Sequence, residues 1–373
     1  MQALLVFAAA LVALPAQPSG VPWPTREWPT ATLPAAVEAA AVERALAATD
    51  RADAELGETR AVVVVQGGRI VAERYMRGYG PTTRLVSWSM AKSITQALVG
   101  IAVKRGLVDV DRAMGNPRWP AGDPRGAVTW RQWLQMVDGQ DYHEIGMRDP
   151  ARNDAARMLF GDGRLDVAAF AARLPQIHPA GTHWNYNTAG IELVDDALGR
   201  VFAPGAAPAE RRARVADVLG RELFAPLGMT SALPEFDAAG TFLGGSLVYA
   251  TARDFARFGL LYLRDGVWDG RRILPAGWVD FARTRGPAPD GATYGAGFWI
   301  TPPDGDPARP HALVPGGPSD LFNAQGHEGQ VVVIVPSKDL VIVRLGLFDD
   351  FRGGWDALGR WLGPLVAAFP DAR

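Results

Sequence analysis

Apolar positions in this chain recur with two periods. Within residues 84–106, Ile94, Ala97, Leu98, Ile101 and Ala102 fall at helical spacing, which predicts a buried helix stopped by Gly106. Short β-branched runs at 61–65, 69–75, 294–300, 322–326, 330–335 and 340–345 predict strands. Gln66-Gly67-Gly68 turns the first pair and Pro336-Ser337-Lys338-Asp339 the last. Gly326-His327-Glu328-Gly329-Gln330 reads as the opening of the strand at 330–335. Alternation along that strand puts His327 and Gly329 on one face and Glu328 on the other.

Helical signals dominate residues 107–240. Thr129-x-x-Gln132 is a capping box for a helix carrying Trp130, Trp133, Leu134 and Val137, ended near Gly139. Asp166 caps an Ala-rich helix that stops before Pro175. Ile191, Val194, Leu198 and Val201 mark another helix, and 215–224 a further one. Beyond 240, Thr251-x-x-Asp254 caps a helix at 252–264, Pro275 opens one at 277–283, and 356–368 is amphipathic. Another helical pattern reaches residue 51. Strands near both ends with helices between predict an α+β fold, an antiparallel sheet flanked by helices with an inserted all-helical domain. The sheet domain is assigned to 36–106 and 241–373 and the helical domain to 107–240, with a site in the crevice between them.

Composition removes several kinds of chemistry. The net charge is −2 with no basic block, so nucleic acid is not an expected partner. The chain has no cysteine, which excludes disulfides, thiolate zinc sites and cysteine nucleophiles. With no His-Glu-x-x-His either, no metal site is expected. Gly-x-Ser-x-Gly is absent as well; Gly245-Ser246-Leu247 and Gly317-Pro318-Ser319 lack the second glycine. His143, His178 and His311 stand isolated and read as surface or satisfied core groups. Residues 3–14 form an apolar run too short to span a bilayer, so 1–16 reads as a signal peptide, although no Lys or Arg precedes the run. The expected location is periplasmic or secreted, otherwise cytoplasmic, with no integral membrane segment in the mature chain. Residues 17–35, rich in Pro and Trp, read as a linker or wrapping arm.

The chemistry that remains centres on Ser89-Met90-Ala91-Lys92 at the head of the predicted buried helix. Residues three apart share a helix face, so Ser89 and Lys92 point the same way. A desolvated lysine can be neutral and take the serine proton, which arginine cannot do. Lys92 is one of only three lysines in a chain whose other strong cations are all arginine, so an amine here is a marked choice. A second candidate is Tyr186, in His183-Trp184-Asn185-Tyr186-Asn187-Thr188, a loop entering a helix. A nearby lysine would ease loss of its proton, and the tyrosine would relay a proton to the leaving group. The third candidate is His327-Glu328-Gly329, where glycine lets substrate approach the backbone and the Gln330 N–H supplies an oxyanion donor beside that of Ser89. Trp88 and Trp184 adjoin these residues as possible pocket walls.

The three elements in this order resemble the serine β-lactamase and penicillin-binding-protein superfamily. The resemblance is to its class C-like branch, and within that to 6-aminohexanoate-dimer hydrolase and esterase-like proteins. It runs from about residue 60 to the C-terminus. It implies that Ser89 is acylated, that Lys92 and Tyr186 handle protons, that His327-Glu328-Gly329 stands for Lys-Thr-Gly, and that no cofactor is needed. Two departures matter. Thr188 occupies the usual asparagine position, with Asn187 as a substitute, and His327 replaces a lysine. An unperturbed histidine is mostly neutral near pH 7, which weakens a clamp on a substrate carboxylate. Both departures favour hydrolysis of a small-molecule amide or ester. A β-lactamase or D-alanyl peptidase is the alternative, and a catalytically silent ligand-binding relative the second.

Overall fold

The computed structural model describes residues 11–372, apart from 54, 292, 303–305, 307–308 and 310–311. Its strands are β1 (Glu58–Gln66), β2 (Arg69–Tyr75), β3 (Leu85–Val86), β4 (Leu233–Pro234), β5 (Val248–Ala250), β6 (Val267–Trp268), β7 (Arg271–Arg272), β8 (Trp299–Ile300), β9 (Phe322–Gly326), β10 (Gln330–Val335) and β11 (Leu340–Leu347). Six of them form one antiparallel sheet in the order β2-β1-β11-β10-β9-β8. β3, β5 and β4 make a small second sheet.

The main sheet is covered on both faces, which is why its inner strands read as nearly unbroken apolar runs. Val62, Val64, Val331, Val333, Leu340 and Ile342 face one core with the helices α1 (Ala39–Ala47) and, at the C-terminus, Gly354–Ala367. Ala61, Val63, Val65, Val332, Ile334, Val341 and Val343 face the other, which holds α2 (Ala91–Lys104). That second core continues without a break into α3 (Trp130–Leu134), α4 (Asp154–Phe160), α5 (Val167–Arg173), α6 (Thr188–Phe202) and α7 (Pro208–Val218). α2 is therefore the shared wall between the sheet and the helical region, and all of Ala91–Ala102 is buried.

Local signals explain the ends of these elements. Thr129 and Gln132 form the reciprocal capping box of α3, Asp166 accepts the Ala169 N–H to cap α5, and Thr251 caps the helix Ala252–Leu263. α3 is shorter than its pattern suggests: Met136 takes a left-handed φ of 57°, so Val137 falls outside the helix. Residues 294–300 also depart from expectation. Gly297 has φ 71° and only Trp299–Ile300 pairs with β9, so most of the predicted strand is loop. Leu219–Phe224 continues α7 as a π-helical segment.

The arm before α1 lies along the body. Arg283 Nη2 donates to Val12 O at 2.6 Å, Arg264 Nη1 to Pro15 O at 3.3 Å, Arg257 Nε to Pro24 O at 2.7 Å and Trp268 Nε1 to Thr25 Oγ1 at 2.8 Å. Of the expected signal peptide, residues 1–10 lie outside the described residues. His311 also falls outside them. Among the described residues, no helix is long and apolar enough to cross a membrane.

Candidate active site

Ser89 sits in a single 3₁₀ turn, Trp88–Met90, that runs directly into α2. Ser87 fastens the turn to β5: its N–H donates to Val248 O at 2.8 Å, and its Oγ accepts the Val248 N–H at 3.0 Å. Trp88 then adopts φ 43°, a left-handed conformation unusual for an aromatic residue. Such geometry costs about 1–3 kcal/mol and persists only where the surroundings enforce it. Here Gly326 at the end of β9 lies against the turn. A Cβ at that position would overlap Ser87 O and come within 3.1 Å of Trp88 Cβ.

Lys92, in the first turn of α2, is 1% exposed. Its Nζ donates to Ser89 Oγ at 2.9 Å and to Gly245 O at 2.7 Å. Burial pushes its pKa down to about 8, against the opposing pull of Glu144, Glu192 and Asp195. Tyr186 lies beside this pair, with Nζ 4.8 Å from its ring centroid. Its phenol corrects the sequence expectation. Burial first, then Tyr294 and Glu144, hold its pKa well above the ordinary value, and the hydrogen bond with Ser89 does not offset them. The resting phenol therefore keeps its proton. Its ring stacks on Trp299 at 5.4 Å, and Trp184 and Tyr294 complete an aromatic wall.

The residues after Tyr186 are committed to structure. Asn187 Oδ1 caps α6 by accepting the Gly190 N–H at 2.9 Å, while Nδ2 donates to Asp138 Oδ1 and Gln140 Oε1. Thr188 Oγ1 donates to Glu144 Oε2 at 2.6 Å, and the Tyr142 hydroxyl donates to the same oxygen at 2.9 Å.

The third element differs most from its sequence reading. His327–Gly329 is a 3₁₀ turn between β9 and β10, with Glu328 at φ 63°, so strand alternation does not apply to it. Gly329 is required for a reason other than substrate approach: φ is 82°, and a Cβ would overlap Phe348 Cε1 and lie 2.6 Å from Arg344 Nη1. Gln330 heads β10 opposite Gly326, and its side chain bonds His327 O at 3.1 Å and Gly346 O at 2.7 Å. His327 is half exposed, set edge-on to Trp88, with Nδ1 bonded to Asp350 Oδ2. Partial burial disfavours its charge, but the Asp350 hydrogen bond and the carboxylates of Asp350, Glu328 and Glu144 outweigh it and raise its pKa. The histidine is therefore more cationic than its residue type suggested.

Several residues of the site lie outside the three sequence elements. Glu144, Glu192, Asp195 and the Gly244-Gly245 pair all lie around Lys92. Two acids at i and i+3 on the apolar helix α6, facing a glycine pair, are the pattern that marks them.

A serine, a buried amine and a phenol in contact form the constellation of an acyl-transfer enzyme. The profile of the beta-lactamase family matches residues 50–346. The chain belongs to that family. It is 27% identical over 302 residues to 6-aminohexanoate-dimer hydrolase of Paenarthrobacter ureafaciens, covering 78% of this chain and 73% of that protein. In fold it is similar to a candidate 6-aminohexanoate-dimer hydrolase from Bacillus anthracis, with TM-score 0.69 at 20% identity over 97% and 92% of the two chains. It is also similar to a class C beta-lactamase from Rhodobacter sphaeroides, with TM-score 0.59 at 17% identity over 88% and 98%. This beta-lactamase-family protein has the mixed helix and antiparallel-sheet fold of its relatives and is a serine hydrolase of the amidase or esterase type.

Proposed function

We propose that this protein cleaves small amides or esters through an acyl-enzyme on Ser89, as an esterase or a 6-aminohexanoate-dimer hydrolase. The observation that carries this is the 2.9 Å contact between the Ser89 hydroxyl and a buried amine with a pKa brought down to about 8. Lys92 removes the hydroxyl proton as Ser89 attacks the carbonyl carbon. Tyr186, kept as a neutral phenol, donates its proton to the leaving amine or alkoxide and recovers one from Lys92. Water then attacks the ester with the same pair acting in reverse, releasing the acid and free Ser89.

The developing oxyanion is held by the Ser89 N–H, at a turn start where no intrahelical carbonyl reaches it. The close approach of Gly326 to Ser87 and Trp88 supports the Gly326–His327 peptide as the second donor in place of Gln330. The aromatic wall of Trp184, Tyr186, Tyr294 and Trp299 suits an aliphatic or flat acyl group. A second reading rests on His327: its contact with Asp350 favours the cationic ring, which suits substrates with a carboxylate, β-lactams included. The apolar run at 3–14 supports export to the periplasm or medium.

Ser89→Ala tests the assignment. Turnover of a p-nitrophenyl short-chain ester is expected to fall by about 10³-fold or more with an unchanged circular dichroism spectrum. Retained activity rejects Ser89 as nucleophile. Parallel assays with the aminohexanoate dimer and nitrocefin separate the two readings.

A further inference from the structure

We infer that Glu192 is a positioning residue for Lys92: its carboxyl holds the Gly244-Gly245 backbone with the Gly245 carbonyl facing the amine, and it competes with that amine for one proton. This rests on the Ser89–Lys92 reading above.

The geometry is a continuous buried chain. Glu192, fully buried on α6, accepts the Gly245 N–H on Oε1 at 3.1 Å. The carbonyl of the same residue, Gly245, accepts Lys92 Nζ at 2.7 Å, and Nζ donates to Ser89 Oγ at 2.9 Å. The glycines are what let the backbone lie on the acids. A Cβ on Gly245 would sit 2.6 Å from Glu192 Oε1 and 2.8 Å from Thr188 Cγ2. One on Gly244 would overlap Thr95 Oγ1 and sit 2.5 Å from Asp195 Oδ2.

The second oxygen, Glu192 Oε2, is buried with no hydrogen-bond partner. An ionised carboxylate left in that state is far more costly than a neutral carboxyl group. Burial accordingly raises Glu192 to about 8, against the pull of Lys92, and raises Asp195 well above its ordinary value. The charged or titratable groups facing the pair are Glu144 from the loop beside α6, Asp195 on α6, Asp237, and Tyr186.

Loss of one proton from the fully protonated pair has two outcomes with the same proton count. Neutral amine with neutral acid supplies a base. Ammonium with carboxylate does not, and a second proton must leave before Lys92 can act. Removing the ionisable carboxyl while keeping its shape leaves only the first outcome.

The test is the pH dependence of Ser89 acylation by a fluorophosphonate, followed by intact mass on the full chain. In that step the Ser89 O–P bond forms, fluoride leaves and the serine proton passes to Lys92. Glu192→Gln is expected to move the acid limb of the rate to lower pH by ~0.5–1 unit. Glu192→Ala, which removes the acceptor for Gly245, is expected to lower the plateau rate by ~10-fold or more. A wild-type adduct on Ser89 with an unmoved limb in Glu192→Gln overturns this inference alone, because a purely packing role predicts no shift. No wild-type adduct overturns the serine–lysine reading and this inference with it. Should Glu192→Gln fail to fold, the acid limb is read in Glu192→Ala, which also removes the carboxyl: a shift to lower pH supports the inference and an unmoved limb rejects it.

Discussion

In the proposed mechanism Lys92 changes its charge while 1% exposed, and that role sets its expected behaviour. Because its pKa falls from 10.5 to about 8, kcat/KM for a neutral ester is expected to rise with pH through about 8. Lys92→Arg is expected to be inactive across that profile, since a guanidinium keeps its proton. The same shift bears on stability. Between about 8 and 10.5 the unfolded chain binds more protons at this position than the folded one, so stability gains as pH rises through that window. Lys92→Met is expected to lose that gain, read from urea midpoints at the two ends of the window. His327 has the opposite sign. Its folded pKa is raised, so its contribution is complete below the unfolded value and fades as pH rises through the folded one. Asp350→Asn is expected to lower the His327 titration midpoint seen by proton NMR; an unchanged midpoint would show that Asp350 is not what holds the charge.

At the scale of elements, two glycines of one hairpin do different work. Gly326 is extended, with φ −133°, and matters because Ser87 and Trp88 lie against it. Gly326→Ala is expected to displace the Ser89 turn, cutting kcat by about 10-fold or more with a smaller change in melting temperature. Gly329 combines φ 82° with contact against Phe348 and Arg344. Gly329→Ala is expected to act on stability first, by about 2 kcal/mol or more, measured by denaturant titration. Arg344 holds the carbonyls of this turn. Fully buried in β11, it donates to Glu328 O and Gly329 O at 3.0 Å each and to Leu56 O at 2.9 Å. A single arginine in an apolar strand thus ties the site's third element to the backbone that leads into β1.

For the whole molecule, residues from the end of the expected signal peptide and the start of the arm bond to the folded body. Arg264 and Arg283 are 3% and 7% exposed and spend donors on Pro15 O and Val12 O. Removing residues 1–16 is expected to leave those donors short and to lower stability by about 1–3 kcal/mol. Removing 1–28 also takes the Pro24, Thr25 and Trp28 contacts and is expected to lower the melting temperature further. Calorimetry on the two truncations checks this; equal melting temperatures for full-length and shortest chains would reject a structural role for the arm.

What the sequence determined by itself was whatever depends on neighbours along the chain. The α2 periodicity, the Thr129 and Asp166 caps, the valine runs of β1, β10 and β11, and the shared helical face of Ser89 and Lys92 all follow from local spacing and propensity. What only the tertiary structure decided was whatever depends on solvent exclusion and approach across the fold. It turned His327–Gly329 from strand into turn, kept the Tyr186 phenol protonated, gave His327 an acid partner 23 residues away, and brought Glu192 to the back of Lys92 through Gly245. Those outcomes are set by burial and by backbone contacts between distant segments, and neither leaves a period in the sequence.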